Sequence, residues 1–383
     1  MTLDKLLEGL SFNEKNLAIV LGGSYGALSI VRSLGQKKVP IIVIGNRDFI
    51  GNSKYCNFYF KTDEDEEIID VLKEIANKYN RKSVILTDSD RYIELIYNYW
   101  DELKESYVSH LCNNKETFDI LVNKELLYKK SEDLGLNCPK TYKKDEIYKI
   151  NNFPVIVKPL DKAVLPSIKG NKVAYCKNKE ELSEILRIVD RYKTECIIQE
   201  IIEGDLSSLY SITLFRSHKG EIQIGYIGHK IRQYPINFGT VSSFVTKDNI
   251  KLVNLSIEIL NKINYIGVAN FEYKYSEKES DYYIMEVNGR FPMVTGITEK
   301  LNNNFVYNIY NSCLEKRIDK NKENESKILW IHFLQDLRAK IQIKDFSFTI
   351  LKHRLKGYKI HWALWNVKDI SPFFTYIKEL IKK

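Results

Sequence analysis

The pattern of apolar residues changes near residue 116, and this change constrains the fold more than any other feature. Up to about residue 112, apolar strand patterns alternate with amphipathic helix patterns, as is typical of a parallel α/β sheet. Between residues 155 and 284 strand patterns dominate, interrupted by a helical pattern over 250–263. We therefore predict a parallel α/β domain followed by a domain of the α+β class.

Composition and charge narrow the functional classes. The chain has 383 residues, of which 44% are hydrophobic, so it can bury sizeable cores. Its net charge is +8, but 50 acidic residues are interspersed with 58 basic ones. No block of like charge indicates a nucleic-acid tail. The mild positive charge suits anionic substrates, and nonspecific affinity for polyanions is the alternative.

Cysteine spacing and the N-terminus give expectations about the compartment. The six cysteines are scattered without a Cys-x-x-Cys pair, which predicts reduced thiols in a cytoplasmic protein. The first 16 residues carry charges throughout and lack the apolar core of a secretory signal. No apolar run approaches the roughly 18 residues that would span a bilayer. We expect a soluble protein without a transmembrane segment.

A glycine turn, GGSYG at residues 22–26, follows the first apolar strand and precedes a helical pattern. Its Gly-Gly-x-x-Gly spacing differs from the dinucleotide-binding fingerprint. The second strand also ends in Gly45, Asn46 and Arg47, where a ribose-binding acid would be expected. An NAD-dependent dehydrogenase is therefore disfavoured. The glycines instead favour close approach of helix and strand, with a helix N-terminus open to an anion.

Two strand patterns, GVANFEYKY and DYYIMEVN, flank a charged tip and predict a β-hairpin. In simple alternation, Ile284, Glu286 and Asn288 share one side of the second strand. If the hairpin is in register, Glu272 lies opposite Glu286, and adjacent carboxylates repel each other unless a cation intervenes. Carboxylate and amide oxygens suit Mg²⁺. The alternative is a solvated strand face on which Arg290 pairs with a glutamate.

Further polar residues follow or precede buried strands. Lys158 lies at the end of the strand VIVKP, where a lysine is well placed to meet a phosphate. Lys124, on a predicted helix over 115–134, adds a second positive group. The strand CIIQEII leads to Asp205, so its backbone could bind an adenine edge while Asp205 binds ribose hydroxyls. Taken alone, each of these lysines would more often be an ordinary surface residue.

The order of these segments resembles that of the ATP-grasp superfamily of carboxylate–amine ligases. The resemblance covers roughly residues 1–315 and is carried by GGSYGA, VIVKP, IIQEIIEGD, HKIRQYP, NFEYKY and MEVNGRFP. It is strongest to the branch that contains D-aspartate ligase. It implies a pre-ATP-grasp domain over 1–115 and an ATP-grasp domain over 116–320, with α+β subdomains 116–200 and 201–320. A C-terminal aromatic-rich subdomain over 321–383 completes the predicted organisation.

The resemblance also implies a role for each candidate residue. Lys124 and Lys158 would contact the phosphates of ATP. The adenine and ribose would be bound by Gln199, Glu200, Ile202 and Asp205. Two Mg²⁺ ions, or Mn²⁺ as a substitute, would be held by Glu272, Glu286 and Asn288. The catalytic cations at the substrate and the transferred phosphoryl group would be Arg290, Lys230 and Arg232.

One stretch departs from the family pattern. Many family members carry a glycine-rich loop after the Lys-Pro strand, but residues 160–172 contain a single glycine. Lys162, Lys169 and Lys172 are candidates for a basic lid instead. Residues 239–243 (GTVSS) are a candidate backbone nest near the acceptor.

The predicted activity is ATP-dependent amide-bond formation through an acyl-phosphate. Its partners would be a small-molecule carboxylate, such as an amino acid, and an amine on a cell-envelope precursor or a sugar-linked acceptor. A non-catalytic nucleotide-binding regulator is the alternative, and homodimers are common among relatives. The C-terminal aromatic residues predict a packed subdomain, with a partner-binding or membrane-surface patch as the other possibility.

Overall fold

The computed structural model describes residues 8, 16–111, 114–159, 173–236, 239–319 and 326–382. The described residues form three β-sheets of five, four and seven strands, with helices around them. A parallel sheet comes first in the chain, and largely antiparallel sheets follow. The predicted class, parallel α/β followed by α+β, is therefore confirmed.

The first sheet is parallel, with the strand order β3–β2–β1–β4–β5. Its strands are β1 Ala18–Leu21, β2 Ile41–Gly45, β3 Phe58–Lys61, β4 Ser83–Thr87 and β5 Tyr107–Ser109. The helices around it are α1 Tyr25–Gln36, α2 Asp48–Gly51, α3 Asp65–Lys78, α4 Asp90–Asn98 and α5 Trp100–Leu103. Strands β1, β2 and β4 are buried along their whole length because apolar residues cover both faces.

The second sheet is antiparallel, with the order β6–β9–β7–β8. Its strands are β6 Thr141–Tyr142, β7 Val155–Pro159, β8 Ala174–Cys176 and β9 Cys196–Glu200. Helices α6 Lys115–Val122 and α7 Lys124–Asp133 precede this sheet in the chain and pack on the third sheet, whereas α8 Lys179–Arg191 packs on the second. The predicted single helix over 115–134 is divided at Asn123, whose side chain accepts hydrogen bonds from the first turn of α7. Helix α8 was not predicted, since the region was expected to be strand-rich.

The third sheet has the order β14–β13–β10–β11–β12–β15–β16 and is antiparallel except for its last pair. Its strands are β10 Leu209–Arg216, β11 Ile222–Tyr234, β12 Thr240–Thr246, β13 Gly267–Ser276, β14 Asp281–Asn288, β15 Ile328–Ile331 and β16 Lys359–Trp362. Its helices are α9 Ile250–Lys262, α10 Ile297–Leu301, α11 Phe305–Cys313, α12 Phe333–Gln342, α13 Thr349–Leu355 and α14 Ser371–Ile381.

The C-terminal segment is built into the rest of the molecule. Strands β15 and β16 extend the third sheet, and Trp330 on β15 is fully buried. Helix α14 packs on α2 of the first domain. The hydroxyl of Tyr376 on α14 also lies 3.0 Å from that of Tyr25, at the start of α1. Arg32 of α1 pairs with the buried Asp369 at 2.9 Å. The boundaries predicted at residues 115, 200 and 320 stay predictions.

A β-bulge in β14 changes which residues share a face. Glu272 lies opposite Glu286, but the next pair is Tyr273 with Ile284, so Met285 is the extra residue. Ile284 therefore joins Val287 in the hydrophobic core, and Glu286 stays with Asn288 on the opposite face. The prediction that Ile284 shares a side with Glu286 and Asn288 is wrong, because simple alternation cannot include a bulge.

Candidate active site

The β13–β14 hairpin brings the two predicted glutamates together. Glu272 pairs directly with Glu286, and Asn270 with Asn288, so all four lie on the face opposite the core. This register confirms the predicted cross-strand neighbours. Asn270 is buried, and its side-chain oxygen accepts hydrogen bonds from hydroxyls on β10 and β11, which fix this part of the sheet.

Each of the two carboxylates faces a lysine from another element. Lys124, the first residue of α7, lies 2.5 Å from Glu286, and Lys230 on β11 lies 3.1 Å from Glu272. Burial alone would raise the pKa of Glu286, but the charge and hydrogen bond of Lys124, with a contribution from Lys230, hold it well below its usual range. Burial would lower the pKa of Lys230, but Glu272 outweighs this effect and raises it.

Lys158 reaches the same place from the second sheet. Its ammonium group donates to the side-chain oxygen of Gln199 at 2.6 Å, across the β7–β9 pair. Burial and the nearby charge of Lys124 lower the pKa of Lys158 to about 8. The amide of Gln199 also donates to the hydroxyl of Tyr128, which in turn donates to the carbonyl of Met285. Tyr128 thus connects the second sheet to β14.

Arg290 follows the hairpin and faces the first domain. Its Nε donates to Asp90 at the start of α4 at 2.7 Å, and Nη2 lies 3.4 Å from the side-chain oxygen of Asn288. Arg290 therefore pairs with an aspartate of another domain rather than with a glutamate of the hairpin. Gly289 is required here, since a Cβ atom would lie 2.3 Å from the ring of Phe118 on α6.

These residues form one charged cluster between the three sheets. Four cations surround the carboxylates of Glu272, Glu286 and Asp90 and the amide of Asn288, which leaves an excess of one positive charge. The cations are Lys124, Lys158, Lys230 and Arg290. Such an excess suits a polyphosphate, and two carboxylates with an amide oxygen are a fitting partial ligand set for Mg²⁺, which commonly takes phosphate oxygens as well. Among the described residues, no group of three or more His, Cys, Asp or Glu side chains is arranged to hold a metal ion.

Arg232, predicted to be catalytic, lies outside this cluster. Its guanidinium contacts Asp336 at 2.8 and 2.9 Å, Asp345 at 3.1 Å and the hydroxyl of Thr349 at 2.9 Å. Arg232 and Asp336 are both buried. With all its nitrogens engaged, Arg232 anchors the C-terminal helices to β11, and the strand pattern around it contained no sign of these distant partners.

Of the predicted adenine and ribose residues, Gln199 and Glu200 lie at the end of β9, and Ile202 and Asp205 follow it. Glu200 accepts from the hydroxyl of Tyr142 at 2.8 Å, and Ile202 lies in the irregular segment after β9. Asp205 accepts from the backbone of Ser207 at 2.8 Å and of Ser208 at 3.2 Å. Asp205 therefore caps a short 3₁₀ turn, a structural role that the sequence did not reveal.

The glycine turn already contains an anion from the chain itself. The carboxylate of Asp88, buried at the end of β4, accepts from the hydroxyl of Ser24 and from the backbone of Ala27 at 2.8 Å. A Cβ atom at Gly22 would lie 2.4 Å from this carboxylate, which explains the glycine. The predicted anion-binding role of the helix N-terminus is thus filled by Asp88, and the turn offers no site for a dinucleotide phosphate.

Two loop predictions have different outcomes. Lys162, Lys169 and Lys172, the candidate lid, lie outside the described residues. The candidate nest at residues 239–243 is instead largely a strand, because β12 begins at Thr240 and pairs with β11 and β15. All five cysteines that the structure describes are free thiols, as predicted.

The sequence matches a known domain family and is similar to two ligases. The ATP-grasp domain profile matches residues 121–294. The chain is 27% identical over 303 residues to D-aspartate ligase of Enterococcus faecium, which covers 73% of this chain and 72% of that protein. It is 30% identical over 153 residues to D-alanine–D-alanine ligase of Prochlorococcus marinus, covering 38% of this chain and 42% of that protein.

Solved structures share the fold at low sequence identity. The biotin carboxylase domain of 2-oxoglutarate carboxylase from Hydrogenobacter thermophilus, solved with magnesium ADP, has a TM-score of 0.64 and 12% identity, covering 82% of this chain and 73% of that one. L-amino acid ligase from Bacillus licheniformis has a TM-score of 0.58 and 17% identity, covering 81% of this chain and 75% of that one.

The ATP-grasp domain and the two ligases to which the sequence is similar indicate an ATP-dependent ligase of the type that joins a carboxylate to an amine. Residues 121–294 match the ATP-grasp domain. The predicted enzyme class is thereby confirmed, and both the dehydrogenase and the non-catalytic regulator are disfavoured.

Three residues of the site were missed in the sequence. Tyr128 is one helical turn from Lys124, at the i+4 position, and this spacing was a usable signal. Asp88 and Asp90 follow β4 directly, at the carboxyl edge of a parallel sheet, where ligands commonly bind. Their contacts with Ser24 and Arg290 join segments far apart in the chain, and the local pattern gave no indication of them.

Proposed function

We propose that this ligase joins a small carboxylate, such as an amino acid, to an amine on a larger acceptor, either a cell-envelope precursor or a sugar-linked molecule. The similarity to D-aspartate ligase over 303 residues supports the amino acid as the carboxylate. The observation that carries the proposal is the opposed pair Glu272–Glu286 among four cations drawn from different elements. We also propose that it works in the cytoplasm, where ATP is available; the homodimer stays a prediction.

The chemistry requires activation of the carboxylate, because oxide is a poor leaving group. The carboxylate oxygen attacks the γ-phosphorus of ATP, which forms an acyl-phosphate and releases ADP. The amine then attacks the acyl carbon, an amide bond forms, and inorganic phosphate leaves while the amine loses a proton. Phosphoryl transfer depends mainly on positioning and neutralisation of charge, so no side-chain nucleophile is needed.

We assign the phosphate contacts to the cations of the cluster. Lys124 and Lys158 would bind the phosphates of ATP, and Gln199 would orient Lys158 through the hydrogen bond that the two already make. Lys230 and Arg290 would stabilise charge on the transferred phosphoryl group. Arg232 would support Lys230 indirectly, by fixing the same strand.

We propose that Mg²⁺ ions are held by Glu272, Glu286 and Asn288 together with phosphate oxygens. Two ions, with Mn²⁺ as a substitute, fit the number of oxygen donors. When bound, they would neutralise charge on the β- and γ-phosphates. The lysines that now pair with the glutamates would then turn to the phosphates. Glu200 and Ile202 would line the adenine site through their backbone, and Asp205 would bind the ribose.

Substrate-dependent release of ADP tests the proposal. Purified protein is incubated with magnesium and ATP, one D- or L-amino acid at a time, and a panel of amines that includes hydroxylamine. We expect ADP and phosphate above background with a narrow set of carboxylates, and a hydroxamate where hydroxylamine traps the acyl-phosphate. ATP binding without ADP release for any carboxylate would contradict the proposal.

A further inference from the structure

Helix α12 exposes an apolar stripe. Phe333, Leu337 and Ile341 are spaced four residues apart and therefore lie on one side of the helix. All three are exposed, and Ile341 is exposed to 65%. The opposite side contains the buried Asp336 and Ala339, which face the third sheet. In the described part of the chain, the ring of Phe333 contacts that of Trp362, with centroids 6.1 Å apart, and much of the stripe stays exposed.

The stripe continues through the following loop into α13. Phe346 and Phe348 in the loop are exposed to 84% and 79%, and on α13 Leu351 and Leu355 are exposed at i, i+4 spacing. We call residues 333–356 the basic hairpin. A cavity of about 350 Å³ opens between its two helices, lined by Phe333, Leu337, Phe348 and Leu351 together with Lys340 and Arg354. The exposed apolar residues therefore form one surface.

The charges of the basic hairpin are almost all positive at its surface. Its basic residues are Arg338, Lys340, Lys344, Lys352, Arg354 and Lys356, and its acidic residues are Asp336 and Asp345. Both aspartates pair with Arg232, which belongs to β11. In the described ranges, none of the six cations forms an ion pair. The two aspartates attach the hairpin to β11. Five of the six cations are exposed, and the half-buried Lys340 donates to the carbonyl of Ser347.

This composition fits an anionic lipid surface better than a protein partner. Protein interfaces are depleted of lysine, whereas four of the six cations here are lysines. Lysine and arginine around exposed Phe, Leu and Ile side chains are typical of helices that lie in the interface of a membrane. Each such lysine or arginine favours membrane binding because it is attracted to anionic headgroups, and the apolar side chains favour it because they are buried among the lipids.

We propose that the basic hairpin docks the protein on a membrane surface that contains anionic phospholipid. The loop phenylalanines and the stripe of α12 enter the headgroup region, and the six cations contact the lipid phosphates. No described helix is long and apolar enough to cross a membrane, so the attachment is to the surface. Arg232 attaches the hairpin to β11, the strand that also carries Lys230 of the candidate active site.

Vesicle co-sedimentation of the full chain without ATP tests this inference independently of the ligase activity. Vesicles contain phosphatidylcholine alone or with 40% phosphatidylglycerol. We expect at least about tenfold tighter binding to the anionic vesicles, which weakens at 0.5 M salt because exposed charges are screened. The double variant Phe346→Ser/Phe348→Ser should lower vesicle affinity at least about tenfold. Lys344→Glu/Lys352→Glu should have a comparable effect.

Tyr148→Ser is the matched control, since Tyr148 is exposed to 75% on a different surface. It should bind vesicles like the unmodified chain, and the thermal unfolding of all variants should be unchanged. Equal binding to both vesicle types, or unchanged binding of the Phe346/Phe348 variant, would overturn the inference. It would be overturned equally by light scattering that shows self-association through the hairpin with no vesicle binding.

Discussion

The second and third sheets both supply groups to the candidate site, but they are stabilised in different ways. The second sheet has four short strands and a small hydrophobic cluster of its own, centred on Val157 and Ile198. The third sheet has seven strands and shares two large clusters with the first domain, to which Phe271 and Trp330 contribute. We therefore expect the second sheet to open or shift without disturbing the other cores, and the third sheet to act as a fixed platform.

The two sheets contribute different groups to the candidate site. The platform holds the proposed metal ligands Glu272 and Glu286 in a fixed cross-strand pair. The second sheet brings Lys158, which reaches the cluster through Gln199 and Tyr128. A nucleotide bound between the sheets would therefore meet rigid anions on one side and a cation on an independently stabilised unit on the other. Three measurements, in order of decreasing expected effect, test this comparison.

Truncation of a core residue in each sheet should have different consequences. Phe271→Ala removes a fully buried ring from a shared cluster and should lower the free energy of global unfolding by about 3–5 kcal/mol. Ile198→Ala removes a fully buried side chain from the small cluster. It should speed hydrogen exchange in β7, β8 and β9 and leave exchange in the third sheet unchanged. Hydrogen exchange measured by mass spectrometry, together with thermal unfolding, distinguishes the global effect of Phe271→Ala from the local effect of Ile198→Ala.

Ile250→Ala serves as the control for both variants, because Ile250 is exposed to 72%. Its exchange and unfolding should match those of the unmodified chain. If Ile198→Ala raised exchange equally in all three sheets, the second sheet would not be an independent unit.

Removal of one charge from the platform should reduce catalysis strongly. Glu286→Gln keeps the shape of the side chain but removes a charge that we assign to the metal site, and kcat for ADP release should fall at least about 100-fold. Glu279→Gln, at the exposed tip of the same hairpin, should keep full activity. Near-normal turnover of Glu286→Gln would contradict the metal assignment.

The cation from the second sheet should make ATP affinity depend on pH. The pKa of Lys158 is lowered to about 8, mainly by burial and then by Lys124, so its charge is lost as pH rises through that value. Since ATP is an anion, it favours the protonated lysine, and its affinity should fall by up to about tenfold between pH 7 and 9. Lys158→Arg stays charged over this range and should bind ATP with a nearly constant affinity.

Calorimetric titration of a non-hydrolysable ATP analogue measures this effect. Lys251→Arg, a conservative change of an exposed lysine that pairs with Asp281, is the matched control and should keep the pH dependence of the unmodified chain. A parallel fall in affinity for Lys158→Arg would show that another group titrates.

Much of the site was predictable from local patterns. Alternation and the charged tip placed Glu272 opposite Glu286, and the buried strand VIVKP placed Lys158 at its end. The prediction for Lys158 rests on side chains a few residues apart. The prediction for Glu272 and Glu286 rests on a hairpin whose register is determined by its short connection. The bulge at Met285 left this pair intact but moved Ile284 to the core, which the pattern alone could not indicate.

The sequence by itself determined the class of fold, the order of its domains and the chemical character of the cluster, because periodicity and residue type are local properties. The tertiary structure decided which charges meet. It placed Arg232 with Asp336 instead of the substrate, and it filled the glycine turn with Asp88. It also left Phe346 and Phe348 exposed on a hairpin rich in basic residues. Each of these outcomes depends on contacts between distant segments, and such contacts exist only once the chain has packed.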